Sequence, residues 1–144
     1  MKQEKSFFLE IVTPTGIVYS GQAEFAVVPG GDGELGILAG HAALLSEVKL
    51  GELRFTHGAE TESLVVEEGV LEIRDNRVSV AVESAVHPDR IDRALLVKLK
   101  SEAEQRIAEN KDPGVVARAR HDLRRVELVD KLEMQKRGRS GDRK

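Results

Sequence analysis

A β-sandwich or flattened barrel followed by an antiparallel helical hairpin is the fold class predicted by these 144 residues. Three observations predict it. Through residues 1–86 apolar side chains recur in period two, the spacing that sends alternate side chains of a strand to opposite faces. Clusters rich in glycine, proline, asparagine and aspartate separate the alternating runs. After His87-Pro88 the apolar period lengthens to that of a helix. The expected organisation is a β domain over 1–86, a helical hairpin over 87–135 and a disordered basic tail over 136–144.

In chain order, Phe7, Leu9 and Ile11 alternate with Phe8, Glu10 and Val12, and Ala23, Phe25 and Val27 alternate with Glu24, Ala26 and Val28. Leu53 and Phe55 lie between Glu52, Arg54 and Thr56, and Val78, Val80 and Val82 lie between Arg77, Ser79 and Ala81. Turn chemistry falls between the runs at Thr13-Pro14-Thr15-Gly16, at residues 29–33, at His57-Gly58 and at Asp75-Asn76. Neighbouring apolar pairs such as Phe7 and Phe8 exceed what a one-sided strand needs, so part of the outer surface is expected to meet a partner.

Asp89 is the expected cap of a first helix whose stripe is Ile91, Leu95, Leu99, Ala103 and Ile107, widened by Leu96 and Val97. The break Asn110-Lys111-Asp112-Pro113-Gly114 ends it. Asp112 then caps a second helix with Pro113 in its first turn, where a missing N–H does no harm. Val116, Ala119, Leu123 and Val126 continue to Val129 and to Leu132 or Met134. The stripes are narrow and alanine-rich and the outer faces heavily charged, so this hairpin is held weakly.

Composition bounds the function. Hydrophobic residues make up 40% and aromatics 3%, so aliphatic side chains fill the core. Cysteine is absent, which excludes disulfides and thiolate metal sites. His41, His57, His87 and His121 are scattered without ligand spacing, so no metal is expected. Met1-Lys2-Gln3-Glu4-Lys5 leads directly into strand-like sequence, which predicts neither a signal nor a transit peptide. No apolar run reaches the length of a membrane span, so no lipid insertion is expected. Residues 1–86 hold six Lys/Arg against fourteen Asp/Glu, net −8, and residues 87–144 hold sixteen against eleven, net +5. The basic half points to an anionic partner at the C-terminal end. The acidic β half and scarce aromatics argue against nucleic acid.

No nucleophile elbow or catalytic acid pair is present, and Glu67 and Glu68, read as strand neighbours, point to opposite faces. Pro29-Gly30-Gly31-Asp32-Gly33 lacks the Lys-Ser/Thr of a phosphate-binding loop and leads into a strand, so its glycines are read as positions of unusual backbone angle.

One segment carries a resemblance. Gly33-Glu34-Leu35-Gly36-Ile37-Leu38-Ala39-Gly40-His41-Ala42-Ala43-Leu44-Leu45 resembles the signature loop of the F-type ATP synthase epsilon family, with Ala39 and Ala43 where that family usually has proline. Gly51-Glu52-Leu53-Arg54 resembles the next landmark. Glu68-Gly69-Val70-Leu71-Glu72-Ile73 resembles the one after, with Glu68 replacing a common glycine. Leu9 to Pro14, Gly16, Tyr19-Ser20-Gly21, Arg118-Ala119 and Leu123 to Leu128 resemble the family's first hairpin and second helix, so the likeness runs through nearly the whole chain.

The resemblance implies a ten-stranded β-sandwich followed by two helices. It implies a mechanical role without cofactor or catalysis, coupling a proton- or sodium-driven c-ring to the gamma shaft at the cytoplasmic face of a bacterial inner membrane. The β domain would bind gamma and the c-ring. The helices would fold down, or extend toward the alpha and beta subunits and brake ATP hydrolysis. Gly33, Glu34, Leu35, Gly36 and His41 are the implied c-ring and gamma contacts. Taken alone, Glu34 reads as a solvated carboxylate in a glycine-rich turn, and His41 equally as a histidine bonding its own loop. Arg118, Arg120, Arg124, Arg125 and Lys131 are the implied braking contacts on the beta subunit. Taken alone they form a solvent face laced with Asp122, Glu127, Asp130 and Glu133. Some members bind ATP on the hairpin through Ile/Leu-Asp-x-x-Arg-Ala and arginines of the second helix. Ile91-Asp92 and Arg118 match, whereas Leu95, Leu96 and Asp122 depart, so weak or no ATP binding is expected. The rival reading is a generic β-sandwich adaptor with a helical interaction arm.

Overall fold

The computed structural model describes residues 5–141, which form two units divided between Val86 and His87. The first unit contains ten strands: β1 (Phe7–Thr13), β2 (Gly16–Ala23), β3 (Phe25–Gly30), β4 (Gly33–Leu38), β5 (Leu44–Val48), β6 (Gly51–His57), β7 (Glu60–Val66), β8 (Gly69–Arg74), β9 (Arg77–Val82) and β10 (Ala85–Val86). They pair in the order β10-β7-β6-β3-β5-β8-β9-β1-β2, with β4 on β3. All pairings are antiparallel except β1 with β9. The link between β3 and β5 is the single pair Gly30 and Val48. There the sheet turns from a layer of β10, β7, β6, β3 and β4 into a layer of β5, β8, β9, β1 and β2. This is the expected sandwich.

The alternation places its residues as read. Leu9, Ile11, Leu53, Phe55, Leu71, Ile73, Val78 and Val80 all join one buried cluster between the layers. Tyr19 of β2 tilts against Phe55 of β6, ring centroids 4.5 Å apart, and against His57 at 5.5 Å. Across β2 and β6, where no ladder runs, the aromatic trio ties the layers together.

Three details differ from expectation. Residues 23–28 are not one strand: β2 ends at Ala23 and the chain bends at Glu24. Glu24 leaves the β2 ladder because its N–H donates to the Thr56 carbonyl (2.9 Å) and its carboxylate accepts from the Gly58 N–H (3.1 Å). Phe8, read as outward-facing, is half-buried, with the Arg77 guanidinium 4.5 Å from the ring centroid. Glu67 and Glu68 lie in the connection between β7 and β8 rather than in a strand.

In the second unit a single 3-10 turn (Pro88–Arg90) precedes α1 (Arg93–Glu109) and α2 (Pro113–Gly141). The cap of α1 is Asp92, not Asp89: its carboxylate accepts from the Ala94 N–H at 3.0 Å, while extended Ile91 separates the 3-10 turn from the helix. Asp112 caps α2 as expected, accepting from the Gly114 N–H at 2.8 Å. Buried residues on α1 are Leu96 and Ala103, whereas Leu95 is exposed. Steps of four advance about 40° each around a helix, so a stripe from Ile91 to Ile107 drifts off any one face. The path Leu96, Leu99, Ala103, Ile107 stays on one. On α2, Ala119, Val126, Val129 and Leu132 are buried and Met134 is exposed.

The helix also runs through residues 136–141, where a disordered tail was expected; residues 142–144 lie outside the described set. No proline stops it. Glu133 and Arg137 pair one turn apart at 2.6 Å, which offsets part of the roughly 1 kcal/mol that each of Gly138 and Gly141 costs a helix.

Candidate functional site

Residues 33–45 are not one loop. They comprise β4, a five-residue connection over 39–43, and the start of β5. Two glycines set the geometry. Gly33 closes the two-residue turn from β3 with φ +123°, and Gly40 sits in the connection with φ +78°, both in the range that favours glycine. Gly36 packs under the Phe25 ring, where an added Cβ would lie at an ordinary 3.7 Å. Leu35 is half-buried against the core.

Glu34 is exposed on β4, with a loose pair to Arg54 at 3.7 Å. Arg54 bonds Glu52 more closely, at 2.7 Å. A pair so exposed contributes little to the fold and leaves the Glu34 carboxylate accessible. His41 is held by its own loop. Its N–H donates to the Leu38 carbonyl (3.2 Å) and Nδ1 lies 2.8 Å from the Ala42 carbonyl. A carbonyl only accepts, so Nδ1 carries the proton and Nε2 bears the lone pair in the neutral ring.

The residue that fixes this connection is Asn76. Its side-chain oxygen accepts from the Gly40 N–H at 2.9 Å and its amide donates to the Ser6 carbonyl at 2.8 Å. Asp75 and Asn76 both have positive φ, 50° and 60°, the conformation of a tight type I′ turn. The Asp-Asn dipeptide signals that turn in the sequence; nothing local signals that its side chain reaches a loop 36 residues away.

A second feature shows only once register is known. Val70 pairs with Ala81, Ala81 with Val12, and Val12 with Ile17. This makes a continuous apolar row on the outer face of β8, β9, β1 and β2. Leu45, on β5, joins it diagonally. Ile17, Leu45 and Val70 are 66%, 71% and 49% exposed. Side chains of this size, contiguous on a solvent face, mark an interaction surface.

On α2 the five basic residues separate. At about 100° per residue, Arg120, Arg124 and Lys131 share the face opposite the buried line, while Arg118 and Arg125 flank that line. Arg118 Nε lies 3.8 Å from Asp122, and Asp122 also takes Arg106 of α1 at 3.0 Å. Of the residues matching the ATP motif, Asp92 is engaged as the α1 cap and Arg118 faces Asp122. Leu95, where the motif has arginine, is exposed. Among the described residues no three His, Asp or Glu side chains are grouped as a metal site, and no helix is long and apolar enough to cross a membrane.

The family model described as ATP synthase, Delta/Epsilon chain, beta-sandwich domain matches residues 6–88. An ATP synthase epsilon chain of Acidithiobacillus ferridurans is 41% identical over 131 residues, covering 88% of this chain and 93% of that one. Among solved structures, a chain of the Euglena gracilis mitochondrial ATP synthase (OSCP/F1/c-ring in rotational state 1) aligns with TM-score 0.79 at 20% identity, over 92% of this chain and 84% of that one. A chain of the Tetrahymena thermophila mitochondrial ATP synthase (central stalk/c-ring) aligns with TM-score 0.55 at 16% identity, over 92% and 99%. At these identities the two structures speak for the fold. The match across the β domain and the identity across nearly the full length of the bacterial relative place this chain in the ATP synthase epsilon family.

Proposed function

We propose that the chain is a non-catalytic rotor subunit that couples the turning of a c-ring to the gamma shaft, at the cytoplasmic face of a bacterial inner membrane. The observation that carries this reading is family membership over both units, joined to a fold that presents two separate docking features. The apolar row of Val70, Ala81, Val12 and Ile17 is the surface for gamma: a permanent shaft contact favours apolar area that stays buried. The β4 strand and the connection after it, with Gly33, Glu34, Leu35, Gly36 and His41, form the foot on the c-ring. There the exposed Glu34 carboxylate is available for a charge-assisted bond to a ring arginine.

The helical unit supplies the regulation. Arg120, Arg124 and Lys131 face away from the partner helix and meet an acidic segment of the beta subunit when the hairpin extends beside alpha and beta. Arg118, exposed beside the packed line, and half-buried Arg125 stand to one side of that contact. The test is ATP hydrolysis by the assembled complex carrying a chain that ends at Val86. Hydrolysis rises if the helices brake it; an unchanged rate defeats the braking role. Retention of the shortened chain in the complex shows separately whether the β unit alone docks.

A further inference from the structure

We propose that Arg93, Asp130, Glu133 and Arg137 form an ion-pair latch that holds shut the end of the helix pair farthest from its connection. Arg93, the first residue of α1, reaches both Asp130 and Glu133 of α2 through Nη1, the latter at 2.9 Å. Glu133 takes Arg137 on its other oxygen at 2.6 Å. It is the buried charged residue among those described, 6% exposed. Lys136 lies 3.6 Å from Asp89, beside the same cluster.

Position gives the cluster its leverage. The helices are joined covalently over residues 110–112, so parting is largest at the opposite end. Along α1 that end is about 25 Å from the joint at 1.5 Å per residue. Leu96, Val129 and Leu132 are buried toward this end, and the packing beside them is interrupted. A cleft of about 340 Å³ opens between the helices beside Arg93 and Asp130, floored by Leu96, Val97 and Val126. A gap forfeits the dispersion contacts that close-packed side chains would make. Closure at this end therefore rests on charge as well as on apolar contact. A carboxylate as buried as Glu133 is tolerated only while a cation stays in place; Arg137, one turn along the same helix, remains beside it in either state, whereas the Arg93 contact lasts only while the helices are shut.

The latch predicts the opposite salt response to an apolar zipper. Raising NaCl from about 20 mM to 1 M cuts the screening length from roughly 20 Å to 3 Å and weakens the outlying pairs of Arg93 with Asp130 and Lys136 with Asp89. Salt leaves an apolar contact unchanged or tightens it.

The chain of 144 residues has no cysteine, so single cysteine pairs carry spin labels without further substitution. One pair replaces exposed Lys98 and Gln135 near the open end, and a control pair replaces exposed Glu102 and Arg124 toward the joint. Pulsed dipolar distances then report parting. With the charges intact, salt should increase the long-distance population at the open end more than at the control pair. Glu133→Gln at low salt should raise it roughly tenfold, between the effect of an exposed and of a buried pair. Arg93→Gln with Glu133→Gln should lose most of the salt response. A salt titration that narrows the open-end distances, or leaves them unmoved, overturns the proposal, and does so even if a variant fails to fold. A folded Glu133→Gln chain with the parent distribution overturns it as well.

Discussion

Replacing Asn76 by alanine should loosen the β unit and the connection over 39–43 together. The side chain hydrogen-bonds to the Gly40 N–H and to the Ser6 carbonyl. Each contributes about 1 kcal/mol net. Alanine at the φ of +60° held here costs about 1 kcal/mol more. The loss of about 3 kcal/mol lowers the melting temperature of a domain this size by between about 12 and 24 °C. Asn76→Gly relieves the backbone cost and should lose about 2 kcal/mol. Asn76→Asp keeps the acceptor for Gly40 and should lose about 1 kcal/mol. Urea unfolding of the three variants, followed by far-ultraviolet circular dichroism, ranks them. If Asn76→Ala falls within about 0.5 kcal/mol of the parent, the tie is not what holds the connection, and the reasoning fails.

Gly69→Ala should disrupt the ladder of β8 and β9. A Cβ there would lie 1.9 Å from the Ala81 carbonyl oxygen and 2.7 Å from the Val82 Cα, backbone atoms that cannot step aside. A loss of at least about 3 kcal/mol is expected, against under about 0.5 kcal/mol for Gly36→Ala; equal melting temperatures for the two variants would contradict the packing argument. Tyr19, the single tyrosine of the chain, should ionise above its ordinary value of 10.0, because burial, then Glu62 and Glu24, disfavour the phenolate. The neutral phenol is the favoured folded form, so this stabilisation is complete below pH 10.0 and declines as pH rises through the folded value. Phenolate absorbance should show a higher midpoint in buffer than in urea, and Tyr19→Phe should remove the alkaline decline; coincident midpoints count against it.

Much of this was legible in the sequence because both repeats are short-range. Leu53, Phe55, Val78, Val80 and Val82 announce their burial by alternation alone, and Asp112-Pro113 announces a helix start. What escaped depends on geometry that the string does not carry. Asp89 and Asp92 are both capping residues three apart, and only the extended backbone at Ile91 decides between them. Leu95 and Leu96 compete for one face, and the drift of four-residue steps settles it for Leu96. Residues 136–141 read as disordered for want of an apolar face, yet a helix already begun extends at little cost per residue. The glycine-punctuated segment over 33–45 marked the family clearly, and the strand after the turn at residues 29–33 was read as such, but its end at Leu38 and the start of the next strand at Leu44 were not, because glycine and turn residues dominate a local reading. The outer row of Val70, Ala81, Val12 and Ile17 comes from four strands in two distant hairpins and exists only through register.

The central claim is that the β unit docks on a shaft through that outer row. Titration of the purified chain into the gamma subunit of its own organism, with heat as the signal, tests it most directly. A tight one-to-one complex is predicted, weakened at least about tenfold by Ile17→Asp with Val70→Asp through loss of apolar contact and burial of unpaired charge. It should be unaffected by ending the chain at Val86. Absence of binding, or binding indifferent to the two aspartates in a chain that remains folded, would contradict it.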